Sequence, residues 1–102
     1  MPQFHKLLTL KELPKGSMKH ADVSGISLAI YNVNDKIYAT TDICSHHQCL
    51  LTGGILSDTT VECPCHGGKF DVTTGAALAL PSVIPIKTYQ TRIINQDIEV
   101  EV

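Results

Sequence analysis

The chain has 102 residues, of which 43% are hydrophobic and 18% are charged, and its formal net charge is −2 at pH 7. These values describe one ordinary globular domain, and they give none of the basic excess that nucleic-acid binding requires. No run approaches the roughly 20 apolar residues of a membrane helix, and the N-terminus lacks the apolar core of a secretory signal. We therefore expect a cytoplasmic protein, in which clustered Cys and His indicate a metal site before structural disulfides.

Short strand-like runs, separated by Gly, Pro, Asn and Asp, make up most of the chain. In order they are Phe4–Leu10, Met18–Val23, Ile26–Val33, Lys36–Thr40, the apolar run Val83–Ile86, Thr88–Ile94 and Asp97–Val102. Asn34-Asp35 predicts a hairpin turn, and the last run alternates apolar and acidic residues as a half-buried strand does. Since no stretch shows helical periodicity, the sequence predicts an all-β fold of sandwich or barrel type.

The segment from Thr41 to Gly75 contains all four cysteines and three of the five histidines. Because it lies between the central hairpin and the last strands, it reads as an insertion into the sheet frame. Two spacings inside it, Cys44-x-His46 and Cys63-x-x-His66, each let two side chains of one tight loop point at one centre. Strand-like runs on both sides of the second pair predict that it lies at the tip of a short hairpin.

Two thiolates and two imidazoles fit two kinds of metal site. A structural zinc ion commonly takes two Cys and two His in tetrahedral geometry. The usual zinc-ribbon pattern, however, pairs Cys-x-x-Cys with its like, and this chain has no Cys-x-x-Cys. An iron–sulfur cluster is therefore favoured, with zinc as the weaker alternative.

The cysteine and histidine spacing resembles that of the Rieske iron–sulfur family. The resemblance is carried by Cys44-x-His46, sixteen intervening residues, Cys63-x-x-His66-Gly67, Phe70-Asp71 and Thr74-Gly75. It implies a single domain over residues 1–102, built as an antiparallel β-sandwich with a cluster-binding subdomain at about 41–83 inserted between strands. It also implies one 2Fe–2S cluster, in which Cys44 and Cys63 hold one iron and His46 and His66 hold the other.

Two positions after the second histidine bear on the redox potential. Histidine ligation raises the potential of such clusters into the general range of about −150 to +300 mV, and hydrogen bonds to the sulfurs raise it further. High-potential members of the family carry serine and tyrosine hydroxyls at the positions that match Gly68 and Phe70, which have none. The resemblance therefore implies a low-potential protein, similar to the ferredoxins of aromatic-ring dioxygenases.

Three Cys and His residues of the segment are left over as non-ligands. Cys49 and Cys65 match the disulfide that joins the two cluster loops in the cytochrome bc type of the family, and two free buried thiols are the alternative. His47 follows a ligand, and we interpret it as an exposed bystander. His5 and His20 lie far along the chain from the motif, and we interpret them as surface residues.

The resemblance implies a soluble ferredoxin, which is a one-electron carrier and not an enzyme. It would take an electron from a ferredoxin reductase and deliver it to the terminal oxygenase of a dioxygenase system. Asp58 and Glu62 are the only formally charged side chains between Cys44 and His66, so we expect a monomer that docks transiently through a nearly uncharged cluster tip. The alternatives are a Rieske-like small subunit of a nitrite reductase or other redox complex, and a zinc-stabilised interaction module.

Overall fold

A computed structural model describes residues 3–43, 49–65, 67–79 and 84–102. The strands in this part of the chain are β1 Phe4–Thr9, β2 Met18–Val23, β3 Ile26–Val33, β4 Lys36–Thr41, β5 Ile55–Ser57, β6 Thr60–Glu62, β7 Lys69–Asp71, β8 Ala77–Ala79, β9 Thr88–Tyr89, β10 Thr91–Ile94 and β11 Asp97–Glu101. Short 3-10 turns lie at Leu10–Glu12 and Leu51–Gly53. No helix in these described ranges is long and apolar enough to cross a membrane.

The strands form three antiparallel sheets. The terminal sheet has the order β1-β11-β10, the central sheet β2-β3-β4-β9, and the insert sheet β5-β6-β7-β8. The insert sheet lies in the chain between β4 and β9, which are neighbours in the central sheet. The all-β prediction and the predicted insertion between strands are therefore both confirmed.

Strand β3 is buried on both faces and explains how the three sheets pack. Leu28 and Ile30 belong to the apolar cluster that the central and terminal sheets share. Ala29, Tyr31 and Val33 point to the other side, into the cluster shared with the insert sheet. A strand covered on both faces needs a continuous apolar run instead of an alternating one, and Leu28–Tyr31 is the longest such run before the cysteine segment.

Several local predictions are confirmed and others are wrong. Asn34 and Asp35 both adopt positive φ, at 52° and 70°, as a two-residue hairpin turn requires. The single strand predicted over Thr88–Ile94 is two short strands in different sheets, because β9 pairs with β4 while β10 pairs with β11. Residues 84–86 of the apolar run before it are not a strand, and Pro85 has no amide hydrogen to give a ladder.

Gly75 fastens the segment after the insert sheet to the turn between β7 and β8. Its amide donates to the Asp71 carbonyl at 2.7 Å, and its own carbonyl accepts from the Ile86 amide at 2.8 Å. Its φ is +82°, and a Cβ at this position would lie 2.1 Å from the Ile86 carbonyl oxygen. Both the backbone conformation and the close approach therefore require glycine.

We predict that Gly75→Ala lowers stability by clearly more than the roughly 1–2 kcal/mol that left-handed backbone costs an L-residue, because a backbone oxygen must also move. Gly16→Ala is the matched control, since Gly16 has φ +81° and open space around its missing Cβ. The measurement is the urea midpoint of each variant, followed by far-UV circular dichroism. Equal shifts for the two variants would contradict the steric argument.

Candidate metal centre

The predicted ligands are divided between the described and undescribed parts of the chain. Cys44, His46 and His66 lie outside the described residues, and so does the bystander His47. Cys63 lies inside them. In the described ranges no three Cys, His, Asp or Glu side chains gather into a metal site. The described surroundings of the predicted centre are Cys63 and the residues that flank the two loops.

The second loop closes tightly at the end of the β6–β7 hairpin. Glu62 and Lys69 are the last paired residues of the two strands. Beyond them the Cys63 amide donates to the Gly68 carbonyl at 2.7 Å, and the Gly67 amide donates to the Cys63 carbonyl at 3.2 Å. These two backbone bonds close the end of the β6–β7 hairpin, where the sequence predicted the second loop.

Cys63 lies in an apolar interior, from which water is excluded. Its side chain is only 2% exposed and packs in one apolar cluster with Leu51, Val61 and Phe70. An ionised thiol in such surroundings is costly unless a cation or metal stabilises it. The soft sulfur donor and its burial therefore fit a ligand of an iron–sulfur cluster.

The first loop is closed at its base by one antiparallel bridge and one carboxylate. Ile43 and Leu50 form the bridge on either side of residues 44–49. Next to it, the Asp42 carbonyl accepts from the Leu51 amide at 2.7 Å. The Asp42 carboxylate accepts from the Thr52 amide at 2.8 Å and from the Thr52 hydroxyl at 2.7 Å. Asp42 thus joins the entry of the loop to its exit.

His20 completes this base, and sequence reasoning missed its role. Its Nδ1 lies 2.5 Å from the fully buried carboxylate of Asp42, and its Nε2 lies 3.0 Å from Asp22. The hydrogen bond with Asp42 is the main cause that raises the pKa of His20 above its ordinary value. Strand register could have revealed the contact, because His20 pairs with Ala29 and Ala29 pairs with Thr40, which places His20 on the same face as Asp42.

The two loops are joined by a disulfide between Cys49 and Cys65, with a Cα–Cα distance of 6.4 Å. This is the pairing that the resemblance implied, rather than two free thiols. Below it, Gly54 approaches the second loop so closely that a Cβ would lie 1.8 Å from the Glu62 carbonyl oxygen and 3.2 Å from Pro64. Covalent and steric contacts therefore hold the two loops side by side.

We predict that protein purified without reductant resists alkylation at Cys49 and Cys65 until a thiol is added. The double variant Cys49→Ser/Cys65→Ser should lose stability by at most about 3 kcal/mol, the loop-closure value for a separation of this size. Mass spectrometry of alkylated peptides and urea midpoints check the two statements. Complete alkylation of the untreated protein would contradict the bridge.

Gly68 and Phe70, the two positions that bear on the potential, both lie in the interior. The Gly68 carbonyl accepts the Cys63 amide, and Phe70 is fully buried in the cluster that contains Cys63. The backbone at one position and the ring at the other are therefore adjacent to the predicted ligand in the fold. Neither supplies a hydroxyl to the site.

Apolar side chains are exposed at the base of the first loop. Ile43 and Leu50 are each 44% exposed although they flank the predicted ligands directly. Of the two acids between Cys44 and His66, Asp58 lies in the β5–β6 turn, at the opposite end of β6 from the second loop, and Glu62 precedes Cys63. The described surface beside the first loop is thus apolar, whereas Glu62 and Lys69 border the second loop.

Comparison with known proteins agrees with this architecture. The Rieske [2Fe-2S] domain model matches residues 3–90. The chain is 39% identical over 94 residues to the ferredoxin component of a naphthalene 1,2-dioxygenase system from Pseudomonas aeruginosa, covering 92% of this chain and 90% of that protein.

Two solved structures are similar over nearly the whole chain. One is the ferredoxin of carbazole 1,9a-dioxygenase from Nocardioides aromaticivorans IC177, with TM-score 0.92, 34% identity, and coverage of 98% of this chain and 96% of that one. The other is a chain in a complex of reduced oxygenase and oxidized ferredoxin in carbazole 1,9a-dioxygenase, with TM-score 0.91, 31% identity, and coverage of 95% and 91%.

Proposed function

Because the chain belongs to the Rieske [2Fe-2S] domain family, and so carries a 2Fe–2S cluster, we propose that it is the ferredoxin component of an aromatic-ring dioxygenase system. In this role it accepts one electron from a reductase and delivers it to a terminal oxygenase. One observation supports this role above the others: Gly68 and Phe70, which lie next to Cys63 in the interior, carry no hydroxyl that could bind the cluster sulfurs. The relatives named above, which are dioxygenase ferredoxins, support the same assignment.

We assign Cys44 and Cys63 as ligands of one iron, and His46 and His66 as ligands of the other. When bound, the cluster supplies a site that takes up and releases a single electron. The protein's own part is to fix that site: the apolar residues around Cys63 exclude water, and the disulfide limits movement of one loop against the other. Such rigidity keeps the ligands close to one geometry in both oxidation states. The protein itself transforms no substrate.

We propose that the oxygenase docks next to the first loop, on the apolar surface formed by Ile43 and Leu50. Both side chains lie within a few residues of the assigned ligands, so a partner that covers them comes close to the cluster. A small apolar contact suits a transient complex, in which the partners must separate after each electron is transferred. We further propose that the carrier acts as a monomer in the cytoplasm.

Leu50→Glu should slow electron delivery to the oxygenase about tenfold or more, because a buried unpaired carboxylate opposes docking. The measurement is stopped-flow reoxidation of the chemically reduced protein, followed by its visible absorption. Oxygenase components of naphthalene 1,2-dioxygenase systems, including that of Pseudomonas aeruginosa, serve as acceptors. The midpoint potential of the variant should stay unchanged, so the effect lies in the encounter.

Ile93→Glu is the matched control, since Ile93 is 42% exposed but lies on β10 of the terminal sheet. It should transfer electrons at the wild-type rate. Equal slowing by both substitutions would contradict docking at the first loop. Purification of the chain in a fixed complex with a nitrite reductase large subunit, with no electron transfer to any oxygenase, would overturn the proposed function itself.

We propose a midpoint potential near the lower end of the general Rieske range of about −150 to +300 mV. The reason is that Gly68 and Phe70 offer no hydroxyl to the cluster sulfurs. A redox titration at neutral pH checks the value, and a clearly positive midpoint would contradict it.

Phe70→Tyr tests whether the missing hydroxyl at position 70 is a cause of the low midpoint potential. One added hydrogen bond is worth about 1 kcal/mol, or roughly 40 mV for a one-electron couple, so the variant's midpoint should rise by about that amount. Phe4→Tyr is the control, because Phe4 lies on β1 and contacts Arg92 in the terminal sheet; its midpoint should equal that of the wild type.

A further inference from the structure

We propose that His20 is a positioning residue of the first cluster loop, which it holds through its contact with Asp42. The proposal rests on the ligand assignment made above, because the loop in question carries Cys44 and His46. His20 lies more than twenty residues before these ligands in the chain. It touches the base of their loop only because β2, β3 and β4 are adjacent in the central sheet.

Asp42 is the residue through which His20 acts. Its amide donates to the Ser27 carbonyl at 3.0 Å, and its carbonyl accepts from the Leu51 amide. Its carboxylate receives both hydrogen bonds from Thr52, one to each oxygen, and the oxygen bound by the Thr52 hydroxyl also contacts His20. Asp42 thus connects the frame to both ends of the loop.

The burial of Asp42 makes a cationic partner necessary. The side chain is fully buried, and a buried carboxylate that loses its counter-charge is strongly destabilising. The two donors from Thr52 are neutral, so they solvate the carboxylate without balancing its charge. No other charged side chain lies within ion-pair distance of Asp42 in the described part of the chain, which leaves His20 to supply the balance.

The geometry requires the charged form of His20. Each ring nitrogen faces a carboxylate, Asp42 at Nδ1 and Asp22 at Nε2. A neutral imidazole has only one N–H, whereas an imidazolium donates from both nitrogens. Strand β3 and the turn Leu51–Gly53, which pack beside His20, contribute no charged side chain, so the two aspartates are the charged groups that act on it.

Because of its contact with Asp42, the stabilisation that His20 gives to the first loop depends on pH. Since its pKa is raised above the ordinary 6.5, His20 stabilises the folded loop fully below pH 6.5. That contribution is lost as the pH rises through the raised pKa of the folded state. The base of the first loop should therefore be most stable in mildly acidic solution and less stable towards alkaline pH.

Two measurements on the cluster-loaded protein test the role of His20. Hydrogen–deuterium exchange of the peptide over residues 50–56 reports the amide of Thr52, and the peptide over 96–102 reports the distant terminal sheet. Release of iron to a colourimetric chelator, measured from pH 6 to 9, reports the grip on the cluster.

His20→Ala should speed exchange in residues 50–56 about tenfold at pH 6, leave 96–102 unchanged, and release iron faster. His20→Asn keeps a neutral donor near the position of Nδ1. It should restore part of the protection. Its iron release should be faster than that of the His5→Asn control at pH 6, and this difference should shrink towards pH 9, where His20 of the control loses its charge.

His5→Asn is the matched control, since His5 lies on β1 and pairs with Val100 in the terminal sheet. It should behave as the wild type in both measurements. If His20→Ala unfolds the whole chain, His20→Asn decides the question alone. The proposal would be overturned if the His20 variants exchanged residues 50–56 at the wild-type rate. It would also be overturned if iron release from His20→Asn followed the wild-type pH profile.

The two proposals fail in distinguishable ways. If the chain were not a dioxygenase ferredoxin, both measurements could still be made, because neither uses a redox partner. If the ligand assignment were wrong, exchange at residues 50–56 would respond to His20 while iron release would not. That combination would overturn the positioning role without bearing on the electron partner.

Discussion

The burial of β3 on both faces is the constraint on which the rest of the structure depends. One face of this strand completes the apolar cluster with the terminal sheet, and the other completes the cluster with the insert sheet. A sheet can bury its apolar face only against another layer, and β3 belongs to the layer that both outer sheets use. The second loop is consequently anchored to the same strand that organises the frame, because Cys63 packs in the cluster to which Tyr31 belongs.

Polar interactions then fix what apolar packing leaves adjustable. Apolar contacts are non-directional, so they bring the insert sheet to β3 without setting the position of the first loop. Asp42 sets that position through directed hydrogen bonds, and the disulfide at Cys49 and Cys65 sets the second loop against the first. Hydrogen bonds at the base of the first loop and a covalent link above it therefore both hold the loops that carry the proposed ligands.

The sequence revealed those features that depend on local pattern. Strand-forming runs bounded by turn residues identified β2 and β3 with the observed bounds, and the cysteine and histidine spacing identified the two loops. Strands β5 and β8 have only three residues each, too few for a period to be read. The break at Gln90 could not be read either, because it arises where the chain passes from one sheet to another. The contact of His20 with Asp42 depends on the register of three strands, which is a non-local property.

The insertion begins and ends at neighbouring points of the frame. The chain leaves the central sheet after Thr41 and returns at Thr88, and the Thr41 amide donates to the Lys87 carbonyl at 2.9 Å between these points. An insert whose two ends are already side by side adds little closure entropy to the frame, and that cost grows only slowly with its length. The same sandwich can therefore accept longer or shorter cofactor-binding inserts, so the electron-carrying segment can diversify as a separate module while the scaffold stays unchanged.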